Sequence, residues 1–251
     1  MMLKSTLSAM ALATTCLALP VQALDLDSMS EAEREAFRTE IRAYLLENPE
    51  VIMEAVAVLE QREAAAQQQD DVALVEQNRE ALFDDGHSWV GGNLEGDITL
   101  VEFMDYRCGY CKRASPEVEA LLAADGNIKL VIKEYPILGE ASVLASRFAI
   151  ATQQVAGEDS YKALHDALIA FNGDITEPAL RRLGNALELD TVAILAHMSS
   201  PEVDQVIAEN HQLAQKLNIT GTPSFVMEDQ MLRGFLPADA MQQMAAQIRT
   251  Q

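Results

Sequence analysis

The run from Ile98 to Phe103 is apolar except for Thr99 and Glu102, and it closes shortly before Cys108-Gly109-Tyr110-Cys111. Gly109 to Ala124 then reads as a helix and Ile128 to Ile132 as a second short strand. A strand, a helix and a strand in that order form a β-α-β unit, which commits this part of the chain to an α/β fold. The cysteines fall where the first strand hands over to the helix. A spacing of three in a first helical turn brings two sulfurs within bonding reach. The helix N-terminus adds partial positive charge and free amides beside Cys108, which stabilises a thiolate, the nucleophile of disulfide exchange. The pattern predicts Cys108 as the exposed attacking sulfur and Cys111, one turn in, as the shielded resolving one. A purely structural disulfide would close too small a loop to stabilise much. Two cysteines without a neighbouring histidine serve zinc poorly.

The remainder continues this domain. Gly86 to Gly96 is a turn-rich joint, and Ser88-Trp89-Val90 reads as a short strand within it. From Glu140 to about Leu217 the pattern is helical, with breaks near Gly157, Asn172-Gly173 and Ser199-Ser200-Pro201. Ser224 to Met227 reads as a strand, Met231 to Arg233 as its hairpin partner, and Asp239 to Ile248 as a closing helix.

The opening residues look like an export signal. Lys4 supplies one positive charge, an apolar run continues through Leu19, and Val21-Gln22-Ala23 places small residues where a signal peptidase reads, with cleavage expected after Ala23. The apolar run is short for a membrane span of ~20 residues. Ala13-Thr14-Thr15 is a poor lipoprotein box ahead of Cys16. Loss of residues 1–23 takes the basic count from 18 to 17 against 39 acids, a net charge of −22, and leaves Cys108 and Cys111 as the whole cysteine complement. Such acidity repels phosphate backbones, so nucleic acid is not an expected partner. The compartment expected is an oxidising one, the bacterial periplasm.

Residues 24–85 read as an N-terminal helical segment. Ser30 with Glu33 fits a capping box, and Phe37, Ile41 and Leu45 make one apolar stripe. Asn48-Pro49 ends that helix and starts another towards Phe83, at most roughly 50 Å long. Ile52, Val56 and Leu59, and again Val72, Val75 and Leu82, have coiled-coil spacing. The segment has too little apolar surface for a core of its own. Its stripes therefore pack on the main domain or on copies of itself. A self-associating dimer or trimer through residues 30–83 is the expectation carried forward.

Phe103-Met104-Asp105-Tyr106-Arg107-Cys108-Gly109-Tyr110-Cys111-Lys112, with Gly221-Thr222-Pro223 far downstream, resembles the thioredoxin superfamily, and within it the DsbA-like branch with an inserted helical domain. The resemblance covers about residues 86–250. It implies a thioredoxin fold over 86–251 with the helical insertion at about 140–217. It also implies a cis bond before Pro223, set against the cysteine pair, with Thr222 facing substrate. Gly109 and Tyr110 become substrate-contacting by the same resemblance. Family members carry an acid near Glu102. A carboxylate buried there has a raised pKa and relays protons. The competing reading places Glu102 in solvent at a strand edge. Asp105 and Tyr106 are expected to shape the approach to Cys108. Lys112 and Arg113 either add charge near the sulfur or line a solvated helix face. His87, His165, His197 and His211 are scattered without ligand spacing.

The function expected is that of a periplasmic thiol–disulfide oxidoreductase acting on secreted proteins, without a cofactor and with a membrane redox partner. The Gly-Tyr dipeptide, the Thr before the cis proline and an oligomeric segment resemble disulfide isomerases, so isomerase or reductase leads. Helical segments of this kind also occur in ScsC-like proteins, DsbA-like relatives linked to copper tolerance. The alternatives are a disulfide-forming oxidase and a Cu(I)-binding thiol protein using Cys108 and Cys111, with Met104 and Met227 as soft sulfurs nearby.

Overall fold

The computed structural model describes residues 28–250, so the expected signal segment and Cys16 lie outside the described residues. Ten helices and five strands follow among the described residues: α1 (Glu31–Glu47), α2 (Glu50–Gln77), α3 (Arg79–Phe83), β1 (Trp89–Gly92), β2 (Ile98–Met104), α4 (Gly109–Asp125), β3 (Ile128–Glu134), α5 (Glu140–Ala156), α6 (Glu158–Ala170), α7 (Glu177–Ala186), α8 (Thr191–His197), α9 (Pro201–Lys216), β4 (Ser224–Met227), β5 (Gln230–Arg233) and α10 (Ala238–Ile248). The fold is α/β and preceded by helices, as the sequence implies.

The chain divides after Glu60. In the first unit the Ser30–Glu33 capping box is formed, and no residue of α1 is buried. Phe37, Ile41, Tyr44, Leu46, Ile52, Met53, Val56 and Leu59 are all exposed.

The second unit, from Gln61, is built on a mixed sheet of order β1-β3-β2-β4-β5. β2 and β3 run parallel, and the other neighbours pair antiparallel. Side chains alternate across a strand, so each of β2, β3 and β4 feeds two cores. Leu100, Met104, Leu130, Ile132, Phe225 and Met227 face a core shared with α4, the inserted helices and α10. Val101, Phe103, Val131 and Val226 face another, closed by Val75, Leu82, Leu213 and Leu217. The helices α5 to α9 lie between β3 and β4.

Three expectations change. The boundary near residue 85 moves to Glu60, because Asp71, Val75 and Leu82 are buried in the second unit. Asp71 accepts a two-pronged pair of hydrogen bonds from Arg233 at the end of β5, at 2.6 and 2.8 Å. The Val75–Leu82 stripe is therefore occupied by its own sheet and is not free for a partner copy. The helix expected from Pro49 to Phe83 breaks at Asn78, whose Nδ2 donates to the Leu74 carbonyl at 2.8 Å and competes with the helical ladder. The first short strand is longer than Ser88–Val90 and pairs antiparallel with β3.

Leu82→Ala should cost roughly 2–5 kcal/mol of unfolding stability in urea titration, the range for a buried leucine. A loss below about 0.5 kcal/mol would show that α3 does not seal this face of the sheet.

Candidate functional site

Cys108 caps α4. Its backbone is extended (φ −74, ψ 115), and its sulfur accepts from the Cys111 amide at 3.4 Å. That donor stands where charge on the sulfur would develop in exchange. The Cys108 thiol donates to the Thr222 carbonyl at 3.1 Å. Both cysteines are free thiols. The Thr222–Pro223 bond is cis, and through the Thr222 carbonyl the two motifs, more than a hundred residues apart, meet at one sulfur. Gly234 N donates to the Pro223 carbonyl at 3.0 Å and ties this loop to the end of β5. A cavity of about 300 Å³ beside it is lined by Thr222, Pro223, Arg233 and Gly234 among others.

The expected contrast between the cysteines is reduced. Cys108 is only 7% exposed and Cys111 is fully buried. Thr222 and the α4 turn cover the Cys108 sulfur more than its position at a helix start suggests. Burial pushes the Cys111 thiol well above the usual cysteine range, against a backbone hydrogen bond from Asp105 that opposes it. Tyr110 stands 56% exposed, with the Arg113 guanidinium 4.0 Å over its ring. Lys112 donates to the Phe171 carbonyl. Both cations thus have their own partners. A Cβ on Gly109 would meet nothing within 4 Å, so packing does not require a glycine there.

Glu102 lies in β2, between β3 and β4, and is 5% exposed, which removes the edge-strand reading. Burial first, then the Glu134 and Glu119 charges, raise its carboxyl to about 8. Met104 and Met227 are core residues, and no group of three or more His, Cys, Asp or Glu among the described residues is placed to hold a metal ion.

Asp105 does more than shape an approach. Its carboxylate accepts from Arg107 N at 2.7 Å, Ser142 Oγ at 2.8 Å, Ile137 N at 2.8 Å and Leu138 N at 3.0 Å. Cys108 N bonds the Asp105 carbonyl at 3.0 Å. One residue thus fixes the loop before Cys108, the loop after β3 and the start of the insertion.

Local periodicity ends the second strand at Ile132 and leaves Glu134 outside it. The strand runs on to Glu134, which is 3% exposed. Its carboxylate accepts from Tyr106, Tyr161 and Ser146, each at 2.7 Å. Burial raises it to about 7 against those three donors. His165 approaches the Tyr106 hydroxyl at 3.1 Å, and burial lowers its ring to about 4. An acid closing a strand of otherwise buried character, as in β2, was the available signal.

Residues 99–249 match the family described as the DSBA-like thioredoxin domain, and residues 33–66 match the N-terminal domain of the copper resistance protein ScsC. A thioredoxin-like oxidoreductase from Silicibacter pomeroyi DSS-3 is 44% identical with a TM-score of 0.66, over 69% of this chain and 99% of that one. BcfH of Salmonella enterica Typhimurium is 30% identical with a TM-score of 0.71, over 86% of this chain and 95% of that one. The disulfide bond formation protein D of Bacillus subtilis is 26% identical over 167 residues, which span 61% of this chain and 72% of that protein. The chain spans only 23% of another curated relative, a Na⁺/H⁺ antiporter of Salinispora arenicola, at 28% identity over 152 residues.

Glu102→Gln should raise stability as pH rises. A carboxyl whose folded pKa lies above its unfolded value keeps full stability below about pH 4 and loses about 1.4 kcal/mol per pH unit up to its folded pKa. With that value near 8, urea titrations of the two proteins should agree near pH 4. By pH 7–8 they should separate by a few kcal/mol in favour of Gln. Equal stability at both pH values would show that Glu102 is ionised without penalty.

Proposed function

The chain belongs to the DSBA-like thioredoxin domain family, and from that premise we infer a thiol–disulfide oxidoreductase that acts on exported proteins in a periplasm. The observation that carries the inference is the meeting of Cys108, Cys111 and the cis Thr222–Pro223 peptide at one sulfur. In this reading the Cys108 thiolate attacks a client disulfide, one client sulfur leaves as thiolate, and a mixed disulfide remains on Cys108. Cys111, once deprotonated, attacks that bond and releases the second client sulfur. Glu102 is the buried acid or base for the Cys111 proton. Thr222, Pro223, Gly109 and Tyr110 receive the client backbone. The exposed side chains of Tyr110, Leu138 and Phe235, next to α4, the Asp105 turn and the Pro223-bonded Gly234 respectively, suit an unfolded polypeptide client.

Within that activity, isomerase or reductase is favoured over oxidase. The support is the Gly-Tyr dipeptide, the Thr ahead of the cis proline, and the run of exposed apolar residues from Phe37 to Leu59. That run would self-associate as a dimer or trimer and present several sites to one misfolded client. No described helix is long and apolar enough to cross a membrane, and a separate membrane protein would supply or remove electrons. A copper-binding alternative draws on the match of residues 33–66.

Cys108→Ser should abolish insulin reduction and reactivation of scrambled ribonuclease, and Cys111→Ser should accumulate a mixed disulfide. Ile41→Glu with Val56→Glu should convert the oligomer to monomer by light scattering and cost isomerase activity at least about tenfold, while insulin reduction persists. Equal isomerase activity in the monomer would take self-association out of the proposal. Reduced protein that holds Cu(I) tightly enough to block its thiols, with no turnover, would replace the redox reading.

A further inference from the structure

Glu102 and Glu134 form a buried carboxyl pair. Glu134 is in register with Met104, two residues beyond Glu102 on β2, so both acids project from one face of adjacent parallel strands. One strand spacing and two residues of rise put their Cα atoms about 8 Å apart. Two full charges that close, out of water, repel strongly, and such a pair releases its protons in two separated steps. The charge of Glu134 is felt at Glu102, and that of Glu102 is felt at Cys111.

The surroundings of the two acids differ in one respect. Three hydroxyls donate to the Glu134 oxygens, whereas no described residue donates to the Glu102 carboxyl. Each hydroxyl has one proton to give. With the Tyr106 proton on Glu134, the facing His165 Nδ1 is the donor to the Tyr106 oxygen. This is the bonding pattern of an anion at Glu134 and a neutral acid at Glu102. The other groups facing the pair do not reverse it. Asp105 and Glu119 add negative charge from the β2–α4 turn and α4. On α6 the charges of Lys162 and Asp166 reach His165, act on it in opposite directions, and bond each other. From α9, Asn210 touches only the Glu134 backbone carbonyl.

We propose that Glu134 is a positioning residue for the redox step: it carries the negative charge of the buried pair and so holds the shared proton on Glu102, on the Cys111 side. The proposal rests on the thiol–disulfide reading above. When a client thiolate attacks Cys108 of the Cys108–Cys111 disulfide, the Cys111 sulfur leaves with the electron pair and takes the Glu102 proton. In the opposite direction Cys111 returns its proton to ionised Glu102 before its sulfur attacks the Cys108–client bond. Glu134 thereby sets the pH at which Glu102 passes from acid to base.

The test is the titration of Glu102 in the reduced full chain, followed by carbon-13 carboxyl NMR and assigned with Glu102→Gln. In Glu134→Gln the Glu102 midpoint should fall by at least about one pH unit, a tenfold change in proton affinity, and the pH profile of client oxidation should move with it. Ser146→Ala, which deletes one donor and leaves the carboxyl, should move the midpoint the same way by less, and decides the matter if Glu134→Gln does not fold. An unmoved midpoint, or a loss of turnover that is uniform in pH, overturns the assignment to Glu134. Turnover unchanged in Cys108→Ser overturns instead the redox reading on which it rests.

Discussion

The carboxylate of Asp105 organises the site. Four donors from three segments converge on it, and its own carbonyl receives the Cys108 amide. Buried amides left without acceptors each cost roughly 1–3 kcal/mol, so the loop before Cys108, the turn after β3 and the first helix of the insertion hold their positions together. Once that turn is fixed, α4 starts at Gly109 with Cys108 as its cap, and the Thr222 carbonyl reaches the sulfur.

Around this anchor the sheet separates its polar chemistry by face. Even-numbered positions of β2 and β3 bring Glu102 and Glu134 to the face covered by α4 and the insertion. Odd-numbered Lys133 goes to the opposite face, where it binds the Ala81 carbonyl at 2.8 Å and pairs with Asp85. Alternation alone puts the adjacent Lys133 and Glu134 on opposite sides of one strand. The cation and its acid brace α3 against the sheet, while among the described residues neither Glu102 nor Glu134 pairs with a cation. Pairing lowers the Asp85 carboxyl, through His87 and Lys133 acting against burial. The absence of such partners is why burial raises Glu102 and Glu134.

Acidity has different meanings along the chain. In residues 31–60 the acids alternate with exposed apolar residues, and no residue of α1 is buried. Asp71, by contrast, is buried and held by Arg233, and ties α2 to the strand that backs the cis proline loop.

The sequence determined the β-α-β unit, the cysteine spacing at a strand-to-helix junction, the helical insertion and the closing hairpin, because each is written in local periodicity and turn residues. It also marked Glu102, since one acid in an apolar strand is visible by inspection. Cys108's cover is a long-range contact with Thr222, and local pattern predicted it exposed. The Val75–Leu82 stripe has coiled-coil spacing whichever surface it meets, and only the packed sheet decided that the surface is its own. Glu134, Tyr106 and Ser146 come from a strand, a turn and a helix far apart in the chain, and Tyr161 and His165 from one face of α6. Their convergence on one buried carboxyl exists only once the chain has folded and burial has removed the water that would otherwise screen it.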